Sequence, residues 1–221
     1  MCRYPQAEDR QGYPTKEPIV RKRWVEFSMP FEEIISGRYP KSFPLRDGGE
    51  MTVRPLVGSD QPKLLEFFHH LQDDDRMFLR DDVLNEAVVE RWCKEVDYDR
   101  VFPLVACVGD RIVADATLHR QRGGWRRHLG LVRVVVDPEF RARGVASNLI
   151  QELADVSTDI GLDKLVAEFI VEQESAVQSF QKRGFVKVAT LPQFALDLHG
   201  ASHDLVLLVY ELRDEEYYAG D

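Results

Sequence analysis

The stretch Leu131-Val132-Arg133-Val134-Val135-Val136-Asp137-Pro138-Glu139-Phe140-Arg141-Ala142-Arg143-Gly144-Val145-Ala146-Ser147 changes its periodicity once, and that change decides the fold. Residues 131–136 are mostly β-branched and apolar and stop at Asp137-Pro138, which suits a buried strand ending at Val136. Beyond the arginines, Ala146, Leu149, Ile150, Leu153 and Val156 recur at helical spacing, so a helix begins in or just after the Arg-Gly turn. A strand passes into a helix through a basic, glycine-containing loop.

That passage has a chemical use. The first backbone N–H groups of a helix have no intrahelical partner and point, with the positive end of the helix dipole, at whatever precedes them, which makes an anion site. Gly144 lets the main chain approach a ligand without a Cβ, small Ala146 keeps the next turn open, and Arg141 and Arg143 add charge-assisted donors suited to phosphate. A pyrophosphate fits such a loop. The sequence contains no Gly-x-Gly-x-x-Gly and no Gly-x-x-x-x-Gly-Lys-Ser/Thr, which argues against a dinucleotide fold and a P-loop.

The pattern Arg141-x-x-Gly144-x-Ala146, between a strand and a long helix, resembles the phosphate-binding signature Gln/Arg-x-x-Gly-x-Gly/Ala of the GNAT superfamily of acyl-CoA-dependent N-acyltransferases. The resemblance continues downstream. Lys164-Leu-Val-Ala-Glu-Phe169 reads as the next strand, and residues 175–185, ending in Gly184-Phe185, are similar to the family's following helix and its Gly-Phe ending.

Length and composition set the outer limits. With 221 residues and 44% hydrophobic content the chain builds one domain with a sizeable core. The formal charge of −9 disfavours a nucleic-acid partner and favours a cationic acceptor such as an amine or a Lys-bearing protein. Cys2, Cys93 and Cys107 are scattered, with neither metal-ligand spacing nor an even disulfide framework, so no metal is expected and the thiols read as reduced. The polar start lacks the apolar core of a signal peptide, and the longest apolar run, residues 205–210, is too short to span a bilayer. The expectation is a soluble, cytoplasmic protein without a membrane partner; a homodimer is left open.

Along the chain, residues 1–40 carry Pro5, Pro14, Pro18, Pro30 and Pro40 among charged residues and read as an N-terminal arm, amphipathic only at 24–27 and 31–35. Its basic group, Arg21-Lys22-Arg23, reads as a solvated face or a binding patch. Residues 41–213 form the expected acyltransferase domain, and 214–221 an acidic tail. The domain opens with a hairpin around Asp47-Gly48-Gly49 and continues with helices over 63–71 and 84–96. Asp73-Asp74-Asp75 and Asp81-Asp82 between these helices read either as caps or as an acidic lip for a cationic amine. Strands over 102–108 and 111–119 share the Gly109-Asp110 turn, a basic loop over 120–128 leads into the strand at 131, and a closing strand pair over 186–189 and 204–212 flanks a loop with Pro192 and Gly200. The element order predicts a mixed α/β fold of the α+β type with an antiparallel meander, and the family resemblance implies a mostly antiparallel, splayed sheet flanked by helices.

The family resemblance implies an N-acetyltransferase that uses acetyl-CoA as cosubstrate and is attacked directly by a primary amine, on a small molecule or on a protein Lys or N-terminus. It implies that the pantetheine arm lies along the edge of the strand over 131–136, hydrogen-bonded to main chain at Val134 and Val136, beside a bulge that splays the central strands, with an N–H of Val134 or Val135 on the thioester carbonyl. The phosphates then fall to Arg141, Ala142, Arg143, Gly144, Val145, Ala146 and Ser147. Phe180 stands at the position where many relatives have an acid Tyr, either beside the cofactor or as a core residue of its helix, and Gln173 stands where an Asn is common. Base candidates are Glu168 and His119 first, then Asp115 and His128. The absent Tyr also admits a second reading, a non-catalytic acyl-CoA sensor.

Overall fold

The structure, a computed structural model, describes residues 31–212 except 77, 78, 80, 122 and 198. The basic group at 21–23, the rest of the expected arm to residue 30, and the acidic tail at 214–221 lie outside the described residues.

Eight strands form one sheet in the order β1-β2-β3-β4-β5-β6-β8-β7. They are β1 Lys41–Pro44, β2 Glu50–Pro55, β3 Val101–Val108, β4 Arg111–Arg120, β5 Leu129–Val136, β6 Lys164–Ile170, β7 Val186–Leu196 and β8 Ser202–Glu211. The helices are α1 Phe31–Arg38, α2 Gln61–His70, α3 Asp73–Arg76, α4 Glu86–Lys94, α5 Val145–Asp159 and α6 Glu174–Gln181. Every neighbouring strand pair is antiparallel except β5 and β6.

That parallel pair positions the site. Its ladder holds only from Leu129↔Lys164 to Leu131↔Val166, whereas β5 runs on to Val136 and β6 to Ile170. The sheet therefore splits at its centre. Close packing at the joined end depends on Gly130, where an added Cβ would fall 2.5 Å from Leu118 Cδ1 and 2.9 Å from Leu162 Cδ1 and Leu165 Cδ2. An extra residue, Val113, interrupts β4 between the pairs Ala106↔Ala114 and Cys107↔Ile112, and its carbonyl accepts from Asp137 N at 2.9 Å. The bulge thus belongs to β4; the β4–β5 register itself is unbroken from Ala114↔Val136 to Arg120↔Gly130.

Alternation along the strands feeds two cores, one on each face. Leu118, Val132, Leu165 and Ala167 meet Leu149, Leu153 and Phe180 on one side. On the other, Val105 and Ile112 meet Phe67 and Phe68 of α2 and Val89 of α4. The α4 start is fixed by Asn85, whose side chain accepts from Ala87 N at 3.1 Å, the usual service of an N-cap.

Two expectations change. Residues 31–40, assigned to an arm, include α1, whose Ile34 is buried in the main core and whose Arg38 Nε lies 2.5 Å from Glu152 of α5. The amphipathic hint at 31–35 falls in this helix, but five residues are too few to tie the segment to the core. The loop expected around Pro192 is instead part of β7, which shifts register between Leu191 and Ala195 with Gln193 at φ +50°. An irregular strand tolerates a proline that a regular ladder would reject.

Candidate functional site

The anion loop is held from below by Asp137, whose buried side chain accepts from Glu139 N at 2.9 Å and pairs with Arg111 at 2.6 Å. The chain then turns through Ala142 at φ +61° and Gly144 at φ +93° into α5. No side chain caps that helix start and no acidic residue sits in its first turn, so the dipole's positive end is left for a ligand. Val145 is itself buried, so only its main chain can serve the loop, while Ala146 and Ser147 are half-buried.

Four arginines surround this helix start. Arg141 donates from Nε to the Val136 carbonyl at 3.3 Å and pairs through Nη2 with Asp75 at 2.6 Å. Arg143 pairs with Asp47 at 2.8 Å and rests over the Phe140 ring at 4.9 Å. The other two were not singled out in the sequence. Arg46, in the β1–β2 turn, donates its backbone N–H to Arg143 O at 3.0 Å, and its side chain would lie 3.7 Å from a Cβ placed on Gly144. Arg183 donates from Nε to Ser147 Oγ. No local pattern could have revealed either, because both reach the loop through tertiary packing.

Main-chain direction along β5 follows from two contacts. His128 O accepts from Asp163 N at 3.0 Å, and Val136 O faces Arg141, so residues of this parity turn their peptide groups away from β4. Alternation puts the N–H and C=O of Val132, Val134 and Val136 on the side where β6 departs. Val135 has the opposite parity: its amide faces β4 and its side chain packs under α2 and α4. Of the two amides expected on the thioester carbonyl, Val135 is therefore corrected out of the groove and Val134 is left. Phe180 is corrected too. Its ring is 2% exposed and stands edge-on to Phe169 and Phe185 at 4.9 Å each, so it is spent on the core rather than on the groove surface.

At the joined end of β5 and β6, on the face away from α5, lies a cleft of about 280 Å³. It is lined by Arg100, Val101, His119, Arg120, Gln121, Arg126, Leu129, Leu131, Val166 and Glu168. Two sequence candidates, His119 and Glu168, thus meet in one cleft, and its floor includes Leu131 and Val166, the last rung before the strands part. His119 Nε2 lies 3.1 Å from Thr117 Oγ1, and Glu168 is exposed. Asp115 shares their face of the sheet but is set deeper, beside Val105 and Val135, where burial pushes its carboxyl up to about 7. His128 gives its carbonyl to the ladder and does not line the cleft.

The acidic segments have mainly structural partners. Asp73 pairs with Arg76, Asp75 with Arg141, and Asp82 accepts from Leu84 N at 3.3 Å. These three aspartates thus follow the capping and pairing reading, and the cleft itself is lined by Arg100, Arg120 and Arg126. Among the described residues, no group of three or more His, Cys, Asp or Glu could hold a metal, and no helix is long and apolar enough to cross a membrane.

Comparison with known proteins bears on the family and the fold. A family model described as the acetyltransferase (GNAT) family matches residues 64–185. An L-amino acid N-acetyltransferase of Escherichia coli (strain K12), AaaT, is 29% identical over 94 residues, 42% of this chain and 58% of that protein. The chain thus spans little more than half the length of that curated relative. The GNAT domain of S. lividans PAT superposes with a TM-score of 0.67 at 22% identity, covering 79% of this chain and 98% of that one. The yncA protein of Salmonella typhimurium, whose structure holds its cofactor acetyl-CoA, gives 0.63 at 19% identity over 74% and 95%. At such identities the structural matches establish the fold alone.

Proposed function

Since the chain belongs to the GNAT acetyltransferase family, we propose that it moves an acetyl group from acetyl-CoA to a primary amine by direct attack. The observation that carries this reading is the splitting of β5 from β6 between two different sites. Beyond Leu131 the strand leads to the anion loop, and around that last rung lies the cleft lined by His119 and Glu168.

The residues present suit acetyl-CoA. The main-chain N–H groups of residues 144–147, with Arg46, Arg141, Arg143 and Arg183 around them, would hold the pyrophosphate. Val134 and Val136 would pair with the pantetheine amides as a missing strand does, and Val134 N–H would polarise the thioester carbonyl. The bound thioester supplies an activated acetyl carbon. The amine nitrogen forms its bond to that carbon, the C–S bond breaks, and the sulfur leaves as thiolate. The proton lost by nitrogen goes to Glu168 or His119, directly or through water. A Cys-like thiolate, with a pKa of about 8.5, is a sufficient leaving group without a protein acid. Buried, reduced-state thiols at Cys93 and Cys107 suit a reducing cytoplasm.

The test is acetyl-CoA-dependent release of free CoA thiol across a panel of amines that includes amino acids, polyamines and basic peptides. At least one acceptor should turn over, and Glu168→Gln together with His119→Ala should lower kcat by about 100-fold or more, the usual loss for general-base removal. Acetyl-CoA binding without turnover of any amine would favour the sensor reading.

A further inference from the structure

Resting on the acetyl-transfer reading, we infer that the acceptor is a small amine that also carries a carboxylate, held between the arginines and Glu168 of the cleft. The whole chain carries a formal charge of −9, and that excess of acid invites a polycationic acceptor. The cleft reverses the sign locally. Arg100, Arg120 and Arg126 line it together with His119, and among the described lining residues Glu168 is the one carboxylate.

The charges are segregated, and the sheet order explains how. Glu168 stands on β6, Arg120 ends β4, and Arg100 precedes β3, so acid and base lie on opposite sides of Leu131 in the middle strand. Arg126 reaches in from the loop between β4 and β5. Arg120 is committed to Asp99, donating from Nε to its carbonyl at 2.5 Å and from Nη2 to its carboxylate at 2.9 Å. Arg100 and Arg126 are exposed, and among the described residues neither forms an ion pair with a carboxylate. A guanidinium presents a planar fork that matches a carboxylate in two hydrogen bonds. A zwitterion satisfies both walls, with its ammonium toward Glu168 and its carboxylate toward Arg100 and Arg126. A polyamine or a lysine-rich tail would instead place cation against cation, which costs affinity. At about 280 Å³ the cleft suits a molecule the size of an amino acid or dipeptide more than a folded protein surface.

The experiment compares each of several amino acids with its amide and with its decarboxylated amine, at saturating acetyl-CoA, and adds calorimetric titration of the amino acid into the protein with CoA present. The amino acid should exceed both analogues in kcat/KM by at least about tenfold, and Arg126→Ala with Arg100→Ala should collapse that ratio toward one. Equal or better use of the amide or amine overturns the inference while leaving acetyl transfer standing. An unchanged ratio in the arginine variants overturns it as well. Binding of the amino acid, lost in the arginine variants, without turnover of any amine would refute acetyl transfer and uphold the carboxylate site.

Discussion

The two ends of β5 offer a ligand different parts of the same strand. At the Val136 end the neighbouring strand has left, so the peptide groups of Val132 and Val134 face the split and the chemistry is that of the backbone. At the Leu129 end both neighbours are hydrogen-bonded, the peptide groups are consumed by the sheet, and only side chains face the cleft. Side-chain identity is therefore nearly free at Val134 with respect to cofactor but decisive at His119 and Glu168. One strand can thus keep a common acyl donor while its other end changes acceptor.

The sharpest way to break this contrast is at Gly144. Its φ of +93° disfavours any side chain, and a Cβ there would meet Arg46 Cγ at 3.7 Å. Gly144→Glu should abolish acetyl-CoA binding, a loss of about 100-fold or more, equal to some 2.7 kcal/mol, with a native far-UV spectrum. Val134→Ala, which trims a core side chain and keeps the amide, should bind within about threefold of the parent. Equal losses in the two variants would end the distinction between backbone and side-chain sites.

A second measurement asks whether Asp115, on the cleft face of the sheet but further along β4 toward the split, belongs to the site or to the core. Burial raises the Asp115 pKa from an ordinary 3.8 to about 7, so the folded state favours the protonated form. Stability from this group is present below about pH 4 and is lost as pH rises to about 7, above which the ionised carboxylate opposes folding. Asp115→Asn should therefore match the parent near pH 4 and exceed it at pH 8 by about 1–3 kcal/mol in urea unfolding. The same difference at both pH values would sink the assignment, and loss of turnover without gain in stability would move Asp115 into the site.

The smallest effect belongs to Phe180. With its ring edge-on to Phe169 and Phe185, Phe180→Leu should cost about 1–2 kcal/mol of stability and leave the shape of the kcat–pH profile unchanged. A new or vanished high-pH limb would return this residue to the neighbourhood of the sulfur.

How much of this was readable beforehand depends on range. The strand, loop and helix around Gly144 were legible because each is set by local spacing, and the convergence of His119 and Glu168 followed from which strands adjoin the split. Arg46 was invisible for the opposite reason: a hairpin turn almost a hundred residues upstream reaches the loop only once β1 and β2 have joined the sheet. Of the two readings of the acidic segments, local capping and pairing holds for Asp73, Asp75 and Asp82, while the arginines of the cleft come together only through the sheet order and left no local signal. Residues 31–40 failed the same way, their role being fixed by a helix more than a hundred positions later.

Glu152 makes that last connection matter at the bench. This carboxylate is 3% exposed on α5 and receives Arg38 at 2.5 Å, Lys41 at 2.8 Å and the Tyr39 hydroxyl at 3.2 Å. A shortened gene that opens at residue 42, just past the apparent boundary, would strip away all three donors and strand an anion beneath the helix that carries the phosphate loop, at a cost of several kcal/mol. Opening at residue 31 retains them, so the useful starting codon for a minimal domain is chosen by a side chain in its second half.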